Sequence, residues 1–291
     1  MKKRTNILLV VLILVCLAAF FGYRMLDGLR TDNRAPEIFL EDVIPELSVT
    51  DPADVLLQGV SARDKVDGDV TDSLLVEKVA LLDGTGRVSV TYAAFDGAGN
   101  VAKAQREARY TDYSSPKFTL SIPLIYRYGT NFDVLNAVGV SDVIDGDIRH
   151  RIRATSLGEE SVLESGHHEV EFRVTNSLGD TAVLVLPVDV GDMVAYEAAL
   201  QLKQYLLYLP QGADFDPESC LQSFTLKGKT KDLSAGLPSG YKLETEGTVD
   251  TDTPGVYTVD YRVHYSEKYQ SEPVMYREYS GYSRLVVVVE G

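Results

Sequence analysis

Gly86-Arg87-Val88-Ser89-Val90-Thr91-Tyr92-Ala93-Ala94 decides the fold, because the chain says it twice more. The copies are Gly166-His167-His168-Glu169-Val170-Glu171-Phe172-Arg173-Val174 and Gly255-Val256-Tyr257-Thr258-Val259-Asp260-Tyr261-Arg262-Val263. Each opens on glycine, then alternates apolar with polar residues, and reaches an aromatic ring at Tyr92, Phe172 or Tyr261. A period of two is the mark of a strand with one face buried and the other wet. Three copies at wide, similar intervals mean three units built alike.

The register extends on both sides. Downstream, Asp96-Gly97-Ala98-Gly99-Asn100 matches Asn176-Ser177-Leu178-Gly179-Asp180, each a glycine-containing turn that leads into a second alternating strand, Val101 to Tyr110 and Thr181 to Val190. Upstream, Gly129-Thr130-Asn131-Phe132-Asp133 matches Gly212-Ala213-Asp214-Phe215-Asp216, and short apolar alternations follow Pro36 and Pro116. Val194 to Leu209 is rich in Ala, Leu and Gln. Its place in the repeat and the turn at Pro210-Gln211-Gly212 make it strand. We therefore expect an all-β protein of three tandem antiparallel β-sandwich domains, at 36–112, 115–190 and 195–290. Asp112 to Ser115 and Gly191 to Val194 are the joints.

A further pair of matching segments, Asp64-Lys65-Val66-Asp67-Gly68-Asp69-Val70-Thr71-Asp72 and Asp142-Val143-Ile144-Asp145-Gly146-Asp147-Ile148-Arg149-His150, lies ahead of the first two central strands. The DKVDGDVT turn, the G-x-V-x-V-x-Y strand and the DGAGN turn together resemble the bacterial immunoglobulin-like domain found in tandem on Firmicute surface proteins and in an insecticidal crystal toxin. The resemblance is close in the first repeat and good in the second. In the third it is confined to the GVYTVDY strand and the GADFDP opening. It implies a spacer or adhesion role at a cell surface and no particular ligand.

The first residues differ from all that follow. Lys2, Lys3 and Arg4 precede an apolar run from Ile7 to Gly22, with Arg24 beyond it. We read 1–6 as a short cytoplasmic tail, 7–23 as a transmembrane anchor with the N-terminus inside, and 24–35 as a linker. The alternative is a cleaved signal and a secreted protein, since the run is at the short edge of what spans about 30 Å of hydrocarbon. Leu17-Ala18-Ala19 makes a poor cleavage motif because its first residue is bulky. Cys16 lies inside the run, and Cys220 is the only cysteine after it, so no disulfide forms within the exported part. Cys220 is expected to be a small buried hydrophobe, with pairing between chains as the alternative.

The chain has 291 residues, with 43 Asp plus Glu against 28 Lys plus Arg. That acidity argues against a nucleic-acid partner, whose phosphates need clustered cations. No HExxH, G-x-S-x-G, Walker or dinucleotide fingerprint is present, and Asp83-Gly84-Thr85-Gly86 reads as a hairpin turn. His150, His167, His168 and His264 are scattered, and neighbours in a strand such as His167 and His168 point to opposite faces. We expect no enzyme.

Calcium stays open as a cofactor, since it takes six to eight oxygens and needs no helix. In an immunoglobulin-type sandwich the acidic turn and the DGAGN or NSLGD turn emerge at one end. The candidate ligands are Asp64, Asp67, Asp69, Asp96 and Asn100 in the first repeat. In the second they are Asp142, Asp145, Asp147, Asn176 and Asp180, with Asp112 from the joint. The competing reading is that each Asp caps its own turn. Lys227-Gly228-Lys229-Thr230-Lys231 stands at the matching place in the third repeat and cannot ligate a cation. There Tyr265, Tyr269, Tyr276, Tyr279 and Tyr282 offer a recognition loop for a cell-wall polysaccharide or a surface protein, or else two strands whose rings pack on a neighbouring sheet.

Overall fold

The computed structural model describes residues 13–23, 32–157, 164–192, 196–271 and 274–291, without the side chains of 269–274. The chain divides into two compact units, Met1–Tyr113 and Ser114–Gly291. The boundary falls between Tyr113 and Ser114. The second and third repeats share the second unit.

Among the described residues each repeat carries seven strands in the same order. The first has β1 (Glu37–Leu40), β2 (Glu46–Leu47), β3 (Val60–Asp64), β4 (Gly68–Asp69), β5 (Leu75–Leu81), β6 (Arg87–Phe95) and β7 (Val101–Tyr110). The second has β8 (Lys117–Leu120), β9 (Ile125–Arg127), β10 (Val138–Asp142), β11 (Gly146–Asp147), β12 (Arg153–Ser156), β13 (Gly166–Thr175) and β14 (Thr181–Gly191). The third has β15 (Ala198–Leu202), β16 (Leu206–Pro210), β17 (Leu221–Leu226), β18 (Lys229–Asp232), β19 (Tyr241–Glu246), β20 (Gly255–Ser271) and β21 (Val274–Glu290). The segment read as strand between 194 and 209 is β15 and β16.

In the first repeat β1-β3-β4 form one sheet and β2-β7-β6-β5 the other. The second repeats this with β8-β10-β11 facing β9-β14-β13-β12. In both, the opening segment pairs first with one sheet and then, as a short parallel strand, with the last strand of the other. That change of sheet belongs to immunoglobulin-like sandwiches, and this is the fold of the chain.

The alternating positions fill the core. Val88, Val90 and Tyr92 are buried, as are Val170, Phe172 and Val174, and Val259, Tyr261 and Val263. Tyr92 carries a polar tip into this core and donates from its hydroxyl to the Leu56 carbonyl at 2.8 Å. Cys220 is a free thiol buried in the third repeat's cluster. His168 is buried and meets the Glu164 carbonyl, whereas His167 is exposed beside Asp189.

The second and third repeats are held as one unit by a shared core. Leu206 and Val286, from β16 and β21, belong to the apolar cluster of the second repeat, with Tyr208 and Val288 packed against it. The Tyr208 hydroxyl accepts the Phe118 amide at 3.2 Å, and burial pushes that phenol up to about 12. Lys117 lies 4.9 Å over the Tyr208 ring and pairs with Glu290 at 2.8 Å.

Residues 7–12 of the expected membrane segment lie outside the described residues. Residues 13–23 are helical with exposed side chains. Among the described residues, no helix is long and apolar enough to cross a membrane.

Candidate functional site

The two acidic turns are built alike. Asp64 ends β3 and its Oδ1 accepts the backbone amides of Val66 at 2.6 Å and Asp67 at 3.0 Å. Gly68 follows at φ +80°, a conformation that costs glycine little and lets β4 turn back on β3. Asp142 does the same for Ile144 and Asp145, with Gly146 at φ +70°. Asp69 and Asp147 cap the next turn by accepting the amides of Thr71 and Arg149, each at 3.0 Å. Much of this chemistry is local capping of the kind Asp performs beside glycine.

The turns also meet across each sandwich end. Asp67 accepts the Gly97 amide at 2.8 Å, and Asp145 accepts the Ser177 amide at 2.7 Å and Arg151 at 2.6 Å. Asp96 organises the β6–β7 turn by accepting the amides of Ala98 and Asn100, and the Asn176 side-chain oxygen does this for Leu178 and Asp180. The structure thus brings the turn residues of each repeat together. Asp112 is used elsewhere within the first unit, where it accepts the Ser48 hydroxyl at 2.7 Å and the Val49 amide at 2.8 Å.

One position separates the repeats. In the second, the Asn176 amide donates to Asp142 Oδ2 at 3.0 Å, closing a buried amide–carboxylate pair. In the first, the residue facing Asp64 is Asp96, and both are carboxylates, 4 % and 8 % exposed. Asp32, ahead of β1, supplies a third, and one oxygen from each lies within 4.8 Å of the others. Asn100 ties this segment down by donating to Asp96 Oδ2 at 2.7 Å and to the carbonyls of Asp32 and Arg34. The amides of Asp67 and Val66 hold the Asp64 carboxyl below its ordinary range. Burial pushes the Asp96 carboxyl up, but the hydrogen bonds from Asn100, Ala98 and Gly99 outweigh it and leave it lowered. Asp32 carries no sequence signal, because it lies in a segment that no repeat motif covers.

At the matching place in the third repeat, Lys227 at φ +48° and Gly228 at φ +75° form a two-residue turn between β17 and β18. Left-handed backbone at both positions is the hairpin turn that suits twisted strands. The tyrosine segment is no loop. It is the outer part of the β20–β21 hairpin, which continues beyond the end of β19 at Tyr241 opposite Tyr265. Tyr265 stacks on Tyr241 with ring centres 4.6 Å apart and faces its cross-strand partner Tyr279, which is buried. Tyr282 stacks on Tyr196 at 5.4 Å, Tyr276 is 60 % exposed, and the Tyr269 side chain lies outside the described residues. Lys227 donates to the Tyr279 hydroxyl at 2.6 Å and sits 4.5 Å over its ring.

Between the Lys227-Gly228 turn and the hairpin lies a cleft of about 350 Å³. Its lining combines Phe224, Tyr241 and Tyr265 with Lys227, Lys229 and Lys231, and with one carboxylate, Glu267, which accepts the Tyr279 hydroxyl at 3.2 Å. The sequence held these lysines only as residues unable to bind a cation; their approach to Tyr241 and Tyr265 depends on β19 and β20 lying side by side.

No family model matches the chain, and no curated protein matches it in sequence. Among solved structures it is similar to the M60 catalytic domain with CBM51-1 and CBM51-2 of Clostridium perfringens ZmpB, at 10 % identity over 88 % of this chain and 43 % of that one, TM-score 0.25. The structure of CBM51-2 in complex with GlcNAc and INT domains of the same protein gives 12 %, 87 %, 41 % and 0.22. Drosophila N-cadherin EC1-4 gives 12 %, 90 %, 76 % and 0.22. The chain spans less than half the length of the two ZmpB structures, and at these values no functional residue passes from any of these proteins to this one.

Proposed function

We propose that the chain is an extracytoplasmic, membrane-anchored tandem of immunoglobulin-like sandwiches, of the kind carried by Firmicute surface proteins, acting as a spacer that presents a binding cleft on its third repeat. The cleft is the observation that carries the binding role. Aromatic faces and ammonium groups together suit a saccharide chain bearing carboxylates or phosphates, since the rings pack against sugar faces and the lysines pair with the anions. In a chain of net charge −15 a local group of three lysines is a concentrated exception. The anchor is supported by the basic residues before the apolar run from Ile7 to Gly22. The reading involves no catalytic step.

Binding to an acidic envelope polysaccharide and to a neutral glucan, compared by calorimetry, tests it. Lys229 and Lys231 are exposed, so Lys229→Glu with Lys231→Glu leaves the core intact. The expected result is at least a tenfold loss of affinity for the acidic polymer at low salt, a difference that added salt narrows. Equal binding of both polymers, or an unchanged double variant, refutes the assignment. A complete lack of polysaccharide binding leaves the second reading, a structural stalk, which the shared core of the second and third repeats favours.

A further inference from the structure

We infer that the first unit binds a hard divalent cation, calcium in the extracytoplasmic medium, between the carboxylates of Asp32, Asp64 and Asp96, and that the second repeat binds none. Three carboxylate oxygens within 4.8 Å of one another, two of them on buried side chains, face each other without a basic side chain among them. Proximity of acids alone would say little. The independent mark is what the oxygens lack. Asp32 Oδ2 is fully enclosed and has no hydrogen-bond partner. The Asp64 carboxylate, 4 % exposed, accepts the Val66 and Asp67 amides on the same oxygen, Oδ1. Buried polar atoms are nearly always partnered, and an orphan calls for a donor or an ion.

The second repeat supplies the control within the same chain. Its turn has the same backbone, the same glycine and the same Asp at the end of the strand, and there the facing residue is Asn176, whose amide satisfies Asp142. An amide can fill the gap that two carboxylates cannot. Putting aspartate at 96 removes that donor, and a cation restores the balance of charge and hydrogen bonding together. All the donors are carboxylate oxygens, with neither His nor Cys, which selects calcium or magnesium over zinc. Water completes the shell, so the affinity belongs with extracellular modules, Kd about 0.1–1 mM. The site would fasten the segment carrying Asp32 to the sandwich end, next to the hold that Asn100 already has on it.

The test is a thermal melt of the full chain in 1 mM EDTA and in 5 mM calcium chloride at matched ionic strength, with calcium titrated by calorimetry. We expect one site per chain and a rise of roughly 5 °C in the first unit's transition, with the second unit's unchanged. Asp96→Asn copies the second repeat; it should raise the melting temperature in EDTA and abolish the calcium shift. Asp32→Asn keeps the side chain that accepts the Arg34 amide and should also lose the shift. No shift and no heat at 5 mM calcium overturns the inference, as does an Asp96→Asn protein that keeps its response. A first unit that gains stability between pH 7 and pH 5 without responding to calcium overturns it too, because a proton then fills the gap.

Discussion

Arg284 is the residue on which the union of the second and third repeats can be tested most sharply. It lies on β21 opposite Asp260 of β20 and grips both Asp260 oxygens, Nε at 2.5 Å and Nη2 at 3.0 Å. Its third nitrogen pairs with Asp189, the β14 residue of the second repeat, whose other oxygen meets His167 at 2.7 Å. Arg284 is 16 % exposed, Asp189 29 % and Asp260 26 %. Burial works against the Arg284 charge, but the two carboxylates outweigh it and hold the guanidinium protonated. Replacing Arg284 with Met keeps the stem and removes the charge. Losing one partner of a fully buried pair costs about 3–5 kcal/mol, and an exposed pair contributes about 0.2–1 kcal/mol. A network exposed by a sixth to a third belongs between them, at about 2 kcal/mol. For a unit of this size that is roughly 4–8 °C in the melting temperature. Scanning calorimetry of the full chain reads it, with Asp189→Asn added to Arg284→Met recovering part of the loss. A shift below about 1 °C would show that the network contributes no more than a surface pair, and the coupling of the repeats would then rest on the shared core around Leu206 and Val286 and on the contacts of Tyr208 and Lys117.

The same network gives a pH dependence. Burial pushes the Asp189 carboxyl up, but Arg284 and His167 more than offset this and leave it below its unfolded value. Its contribution is therefore complete above the ordinary carboxylate range and lost as pH falls through the lowered folded value. Urea denaturation from pH 6 to pH 2.5 should show a steeper acid loss in the wild type than in Arg284→Met, and parallel curves would contradict it. In the first unit, Gly86 stands at φ +87°, where an added Cβ would lie 2.3 Å from the Tyr110 carbonyl oxygen. Gly86→Ala combines left-handed strain with a backbone clash, about 3 kcal/mol together, and should lower the first transition by at least 10 °C. A fall of under 3 °C would refute the close approach and would also remove the means of assigning that transition.

The sandwiches were legible because burial acts on every second residue of a strand. The alternation around Tyr92, Phe172 and Tyr261 named the buried set without any knowledge of the partner sheet. The turn pairs were legible for a related reason: Asp64 and Asp142 cap amides two and three residues away, so their chemistry is local. What escaped was long-range. Asp32 reaches Asp64 and Asp96 only once the segment before β1 lies along the β6–β7 turn, held by Asn100. The difference between Asp96 and Asn176 stood in the sequence as DGAGN against NSLGD. Its meaning depends on what each residue faces. Tyr265 and Tyr279 read equally well as loop or strand, and the pairing of β20 with β21 decides for strand.

The third repeat shows how far one turn can redirect a sandwich. In the first two repeats the β3–β4 and β10–β11 turns spend an aspartate on their own amides, and the strand that follows is only two residues long. With Lys227-Gly228 the turn closes in two residues and needs no side-chain cap, so β18 continues for four. The first strand also moves. β15 pairs in parallel with β21 at Ala198 and Ala199, joining what are two separate sheets elsewhere into one continuous sheet. Gly281 permits this, since a Cβ there would meet the Ala198 carbonyl oxygen at 3.2 Å and the Phe224 ring at 3.1 Å. Joining the sheets places Phe224 and Tyr241 beneath the outer hairpin and leaves lysines where the other repeats carry acids. One structural position thus takes three electrostatic forms: three facing carboxylates in the first repeat, a satisfied amide–carboxylate pair in the second, and an ammonium-rich cleft in the third. A single ligand class cannot serve all three, so the repeats have to be assayed for different partners.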